Sequence, residues 1–318
     1  MFLFINKEDK LVVTTSMATK ASIESWFIPT DIFMITCNIL SILFAIFCLI
    51  HIILDKTCRT VPMMLVGNSC FATLMFGTTM LCMTSSTLRN DLQQIQYQDS
   101  LCVLAGYLGY GTCAIQNYSF LLQAIYRYLL VVHPTRLFWH SWQIQILFIC
   151  ISWIFCITFP LEFLLTNQII YDVENQICQM HLRFSFPIIY MAFCLFGIPV
   201  SMIIGIYFIL VRYVKRMSTN ITRVNILPRA QRELKLVRRI VILVMILLTI
   251  CTPYQLFLIM SFFNSTPKYN FRIAFIFGDT AMLCVIIALF QITDPLKVSV
   301  MKSLKKRSNT NIVVPVVS

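Results

Sequence analysis

Seven apolar runs, each long enough to cross a lipid bilayer, alternate along the chain with short polar connections. They fall at Ile28–Leu54, Val61–Met83, Leu101–Val132, Ile144–Leu165, Ser185–Val211, Ile240–Phe263 and Ile273–Ile292. At 1.5 Å rise, a helix of about 20 residues spans a hydrocarbon core of about 30 Å. The polar connections Asp55–Arg59, Ser85–Ser100 and Pro134–Trp142 are too short to hold separate domains. The third run carries no charge between Asp99 and Arg127, so Cys102 marks one membrane face and Arg127 the other. After the last run, Val298, Met301 and Leu304 recur at helical spacing with lysines opposite, which predicts an amphipathic helix on the membrane surface. The pattern therefore predicts an all-α membrane bundle. Residues 1–27 form an outer N-terminus, 28–296 the seven-helix domain, and 297–318 the amphipathic helix and tail.

Composition agrees: 58% hydrophobic and 12% charged residues exclude an ordinary water-soluble domain and a disordered chain. The opening Met1–Ile5 is too short for a signal-peptide core and has no basic region before it, so the first run is expected to act as the insertion signal. The 13 cysteines include no Cys-x-x-Cys pair, and most sit inside apolar runs as small packing residues, so neither a metal site nor a cofactor is expected.

Charge sets the expected orientation. Lys56, Arg59, Arg127, Arg136, the basic run from Arg212 to Arg239 and the cluster from Lys297 to Arg307 share one face. Only Lys7, Lys10, Lys20, Arg89, Arg183, Lys268 and Arg272 fall on the other, where most of the acids also lie. Cytoplasmic loops keep Lys and Arg, so the N-terminus is expected outside and the C-terminus in the cytoplasm of a multi-pass plasma-membrane protein. The net charge of +12 then reads as a fringe facing the anionic inner leaflet rather than as a nucleic-acid site. Asn264-Ser-Thr matches a glycosylation acceptor in an external loop. No internal repeat is visible, which counts against an inverted-repeat transporter.

Several residues taken together resemble the rhodopsin-like family of seven-helix G-protein-coupled receptors, over nearly the whole chain. Tyr126-Arg127-Tyr128 stands where that family has an acid-Arg-Tyr triplet at the inner end of helix three, and Cys102 lies 25 positions earlier. Trp153, the pair Pro199 and Tyr207, Pro253, Asp294-Pro295 and Asn38 match the family's markers in spans four, five, six, seven and one. The resemblance implies a bridge from Cys102 to Cys178 across the bundle mouth, the alternative being two unpaired external thiols. It also implies an activation and G-protein-coupling surface of Arg127, Tyr128, Tyr207, Glu233, Pro253, Asp294 and Pro295. Glu233 is either the acid that locks Arg127 at rest or a local partner of Arg229 and Arg232.

The departures bear on mechanism. Tyr126 replaces the acid before Arg127, Cys251 stands where span six usually has tryptophan, and Val298 replaces the tyrosine after Asp294-Pro295. Span two has no acid, with Thr73 or Asn68 near its usual place, which puts a sodium site in doubt. Gly109 replaces the aspartate of similar amine receptors and Ala288 the lysine that binds retinal, so the resemblance implies neither an amine receptor nor an opsin. Tyr107, Tyr110, Glu162, Tyr254, Gln255 and Asp279 remain as an aromatic, mildly acidic mouth that would suit a peptide with a basic group.

The expected function is a receptor, not an enzyme: an extracellular ligand shifts the bundle and a heterotrimeric G protein is activated. Ser303, Ser308 and Thr310 could be phosphorylated to recruit arrestin. A transporter or channel, and a non-signalling receptor-like scaffold, stand as the alternatives.

Overall fold

The computed structural model describes residues 24–95, 97–180, 185–219, 231, 234–235, 238, 241–242, 244–245, 248–250, 252–263, 265 and 267–310. The chain is a bundle of long helices. Helices α1 (Phe27–Leu54), α2 (Val61–Gln93) and α3 (Cys102–Val132) make the first three crossings. The fourth is α4 (Trp142–Thr158) followed by the short α5 (Leu161–Leu165). A hairpin of β1 (Ile169–Asp172) and β2 (Ile177–Met180) precedes α6 (Phe186–Ala192), a π turn (Phe193–Gly197) and α7 (Ile198–Thr219), which together form the fifth crossing. The sixth runs through helical residues within 231–250 and α8 (Thr252–Phe262), the seventh is α9 (Asn270–Ile292), and α10 (Asp294–Thr310) follows.

Among the described residues, five helical stretches are long and apolar enough to span a bilayer, and α3 is not one of them. Its position explains this. Gln116, Asn117, Ser119 and Gln123 are all buried on α3, which packs against α2, α4, α7 and the hairpin. A helix surrounded by protein can carry polar groups because its neighbours satisfy them. The outer helices instead expose Leu43, Ile53, Ile154 and Phe208, as lipid-facing positions should.

The fifth crossing illustrates that exchange. Pro199 has no N–H to give the Leu195 carbonyl, and the π turn sits immediately before it. Asn117 Nδ2 of α3 donates to the Leu195 carbonyl at 3.0 Å, and the Tyr118 hydroxyl donates to the Cys194 carbonyl at 3.2 Å. The irregular backbone is thus stitched to α3 by side chains.

The second crossing runs beyond its predicted end at Met83 as far as Gln93, through part of the stretch read as a loop. The added turns are held by tertiary partners. Thr87, Asn90 and Asp91 are buried there, and Asn90 Nδ2 donates to the Tyr97 carbonyl at 2.8 Å. The β-hairpin turns on Asp172, whose carboxylate accepts from the backbone N–H of Glu174 and Asn175 at 2.9 and 3.2 Å.

Cys102 and Cys178 form a disulfide with their Cα atoms 5.4 Å apart, which draws β2 down onto the outer end of α3. Gly106 lies beneath this contact, and a Cβ there would collide with the Cys178 carbonyl oxygen.

Candidate functional site

Between the outer halves of the helices lies a cavity of about 130 Å³. The α3 stripe Gly109, Cys113 and Gln116 recurs at i, i+4 and i+7, and so presents one face to it. Gly278, Met282 and Val285 do the same from α9, Tyr254 comes from α8, and Gln179 of β2 closes the top. Among the described residues lining the cavity, none carries a formal charge.

Helical phase decides which expected mouth residues reach this space. Tyr110 and Tyr254 line it. Tyr110 also accepts a hydrogen bond from the Met180 backbone N–H at 3.2 Å, which leaves its own proton available. Tyr107 points elsewhere, donating to the Ile157 carbonyl of α4 at 2.8 Å. Glu162 is exposed on α5, and Gln255, one residue past Tyr254 and so turned about 100°, is half-buried outside the lining.

Asp279 differs most from its expected place at the outer mouth. It is the tenth of the 23 residues of α9, fully buried, and accepts a hydrogen bond from Asn38 Nδ2 of α1 at 3.0 Å. One residue on from the cavity-lining Gly278, it is turned away toward α1.

Below the cavity a polar network joins α2 and α3. Thr73 Oγ1 lies 2.9 Å from Gln116 Oε1, the Ser69 and Ser119 hydroxyls lie 2.8 Å apart, and Gln123 Nε2 donates to Ser69 at 2.7 Å. Asn68 is committed elsewhere, accepting from the Trp153 indole N–H at 3.0 Å while Phe71 stacks on that ring. Thr73 is therefore the span-two residue at the bundle centre, and the network holds no carboxylate.

Arg127 follows Gln123 by four residues, one helical turn nearer the inner end of α3. Beside it, Val131 packs with Leu210 and Val214 of α7, and Tyr128, Tyr207 and Leu234 pack against that cluster. Two of the expected switch tyrosines thus pack on one cluster. Glu233 lies outside the described residues, as do Cys251 and Asn264. Pro253 is the second residue of α8.

Asp294-Pro295 follows the seventh run, whose helix ends at Ile292 as expected. Helix α10 begins at Asp294, so Pro295 occupies the first turn of a new helix, where no N–H is needed, instead of kinking the crossing. Asp294 is an acid in that first turn and pairs with Lys297 at 3.6 Å across exposed surface.

The most heavily built polar site has no counterpart among the expected residues. Arg272, at the start of α9, donates to both carboxylate oxygens of Asp91 at 2.6 and 3.1 Å. Asp31 of α1 lies 3.6 Å from the same guanidinium, and the Phe27 ring lies under it at 4.0 Å. Gln176 of the hairpin turn donates to Asp91 at 2.9 Å, and Asn175 accepts from the Arg272 backbone N–H at 3.3 Å. Asp31 and Asp91 are fully buried and the Arg272 side chain is 3% exposed, so α1, α2, α9 and the hairpin are clasped at one dry point. Nearby, burial pushes the Tyr171 phenol up to about 12.

Residues 44–295 match the family model described as 7 transmembrane receptor (rhodopsin family). The fold is similar to the crystal structure of squid rhodopsin, with a TM-score of 0.72 and 15% identity over 88% of this chain and 85% of that one. No curated protein sequence matches the chain.

Proposed function

We propose that this chain, which belongs to the rhodopsin family of seven-transmembrane receptors, binds an extracellular ligand in the outer cavity and activates a heterotrimeric G protein. The family consists of receptors rather than enzymes, and its members are multi-pass membrane proteins. The observation that carries the reading is the course of α3. Gln116 lines the cavity, and Arg127 stands eleven residues further along the same helix, about 16 Å at 1.5 Å per residue. Ser119 and Gln123 lie between them, each hydrogen-bonded to Ser69 of α2. A ligand that shifts Gln116 acts on a network whose inner end is one turn from Arg127.

At rest, Glu233 of the sixth crossing pairs with Arg127 near the inner membrane face. The packing of its neighbour Leu234 against the α3–α7 inner cluster supports this. Outward movement of the sixth crossing then frees Arg127 to meet a G-protein helix beside Tyr128 and Tyr207. In this arrangement the N-terminus is extracellular and the C-terminus cytoplasmic at the plasma membrane. The disulfide fits an oxidising outer side, and α10 lies along the inner leaflet with Val298 and Met301 exposed toward lipid.

The test is ligand-free nucleotide exchange on a panel of G proteins, using membranes that carry the full chain. Glu233→Ala should raise exchange, and adding Arg127→Ala should abolish the rise. Absence of exchange above empty membranes for every G protein, with Glu233→Ala at normal surface levels, would remove the signalling reading.

A further inference from the structure

Among the described residues lining the outer cavity, Gln116 alone has a buried side-chain polar atom without a hydrogen-bond partner. Gln116 is 4% exposed, with one end of its amide at Thr73 and the other, Nε2, buried without any hydrogen-bond partner. The Thr73 hydroxyl lies 3.0 Å from the Ser69 carbonyl as well as 2.9 Å from Gln116, and its single proton serves one of them. If it serves Ser69, the amide turns over and presents its NH2 to Thr73. In both arrangements one end of the carboxamide is left unsatisfied at the cavity. A buried, unpaired amide group is costly to leave, and a ligand atom there would recover that cost.

Three further observations narrow the ligand. The cavity measures about 130 Å³, and an apolar protein cavity of about 150 Å³ accepts one benzene ring. Its described lining is dominated by Phe76, Met80, Phe275, Met282 and Val285, with no charged side chain. The two acids expected at this mouth lie elsewhere: Glu162 is exposed on α5 and Asp279 is turned to Asn38. An ammonium or carboxylate placed here would lose its water without gaining a counter-charge.

We propose that the outer cavity recognises a small uncharged molecule about the size of one ring, bearing a single hydrogen-bonding atom that meets the free end of the Gln116 carboxamide. This rests on the receptor reading above and assigns the class of ligand to the same cavity. Tyr110, whose oxygen already accepts from Met180, offers its proton as a second contact from the hairpin side.

The experiment uses one ring with different substituents: benzyl alcohol, benzaldehyde, toluene, benzylamine and benzoate. Binding is read as the shift in unfolding temperature of the purified full-length chain in lipid nanodiscs, and signalling as G-protein dissociation in cells. Benzyl alcohol or benzaldehyde should bind about tenfold better than toluene and better still than benzylamine or benzoate. Gln116→Leu should erase the preference over toluene without loss of toluene binding. Should Gln116→Leu fail to accumulate, Gln116→Glu carries the same test, because the new carboxylate should shift preference toward benzylamine. Equal or better binding of the charged compounds, no binding by any compound, or an unchanged preference in both variants would each overturn the proposal. Neutral compounds that bind without G-protein dissociation would leave the ligand class standing and remove the signalling reading. Dissociation evoked only by the charged compounds would do the reverse.

Discussion

Replacing Arg272 by alanine should be among the most destabilising single changes available in this bundle, and the size of the loss follows from where the charge lies. A surface ion pair is worth about 0–1 kcal/mol because water screens it and replaces it when it breaks. The Arg272–Asp91 pair has no such recourse, with side chains 3% and 0% exposed, two hydrogen bonds at 2.6 and 3.1 Å, and a second buried carboxylate, Asp31, at 3.6 Å. Removing one member of a buried pair strands the other, at a cost of about 3–5 kcal/mol. The change also strips the guanidinium from the Phe27 face, an interaction of up to about 2 kcal/mol where water is excluded, already counted within that range. At roughly 2–4 °C per kcal/mol, the unfolding temperature of the purified receptor should fall by on the order of 10 °C.

Two controls make the argument specific. Lys297→Ala removes an exposed pair, side chains 39% and 64% exposed, and should cost no more than about 0.5 kcal/mol in the same assay. Asp91→Asn combined with Arg272→Ala should cost clearly less than the sum of the two singles, since the second change removes a charge that the first has stranded. A loss below about 1 kcal/mol for Arg272→Ala, or simple additivity in the double variant, would refute the claim that this cluster clasps the outer end.

Three further outcomes follow from the same geometry. Cys178→Ser opens a link spanning 76 positions, worth about 4.5 kcal/mol in the chain-entropy model, and should lower the unfolding temperature and the fraction reaching the cell surface. Gly106→Val should cost about 1–3 kcal/mol with the disulfide intact, because the new side chain has to displace the Cys178 backbone; non-reducing electrophoresis beside thermal unfolding checks this. Asn38→Ala removes the Nδ2 group that donates to the buried Asp279 at 3.0 Å and should cost about 1–3 kcal/mol, more than Asp279→Asn, which keeps the side chain's shape; thermal unfolding of both ranks them.

Much of the bundle was legible because lipid contact enforces a simple rule. Where a helix faces hydrocarbon, apolar residues run without interruption, and the first run, expected at Ile28–Leu54, is a helix over Phe27–Leu54. The inner tyrosines and the disulfide could be placed by resemblance. The Arg272 cluster could not, because its members are ordinary in isolation. Asp31 is one acid in an apolar run, and Asp91 and Arg272 look like solvated loop charges 181 positions apart. Only the extension of α2 beyond Met83 carries Asp91 to the hairpin turn and to α9. One local sign was present: the β-branched and aromatic run Ile169-Ile170-Tyr171 leads into the turn-forming Asp172–Asn175, which marks a strand followed by a turn.

Polar residues inside the bundle then sort into two kinds with different consequences. The ionisable ones, Arg272 with Asp91 and Asp31, and Asp279 with Asn38, bind helix to helix, and none lines the outer cavity. The uncharged ones lie along α3 from Gln116 through Ser119 to Gln123, between the cavity and the arginine at the inner end. Hydrogen bonds among hydroxyls and amides cost little to exchange, whereas a buried ion pair costs several kcal/mol to break. A two-state bundle needs both: fixed points that hold the outer helix ends while the interior rearranges, and an interior whose partners can be traded. By that logic, variants along Ser69, Ser119 and Gln123 should change basal signalling with small effects on stability, while variants in the Arg272 cluster should do the opposite. Measuring both quantities on both sets, in the same preparation, decides whether the polar stripe of α3 is the moving part.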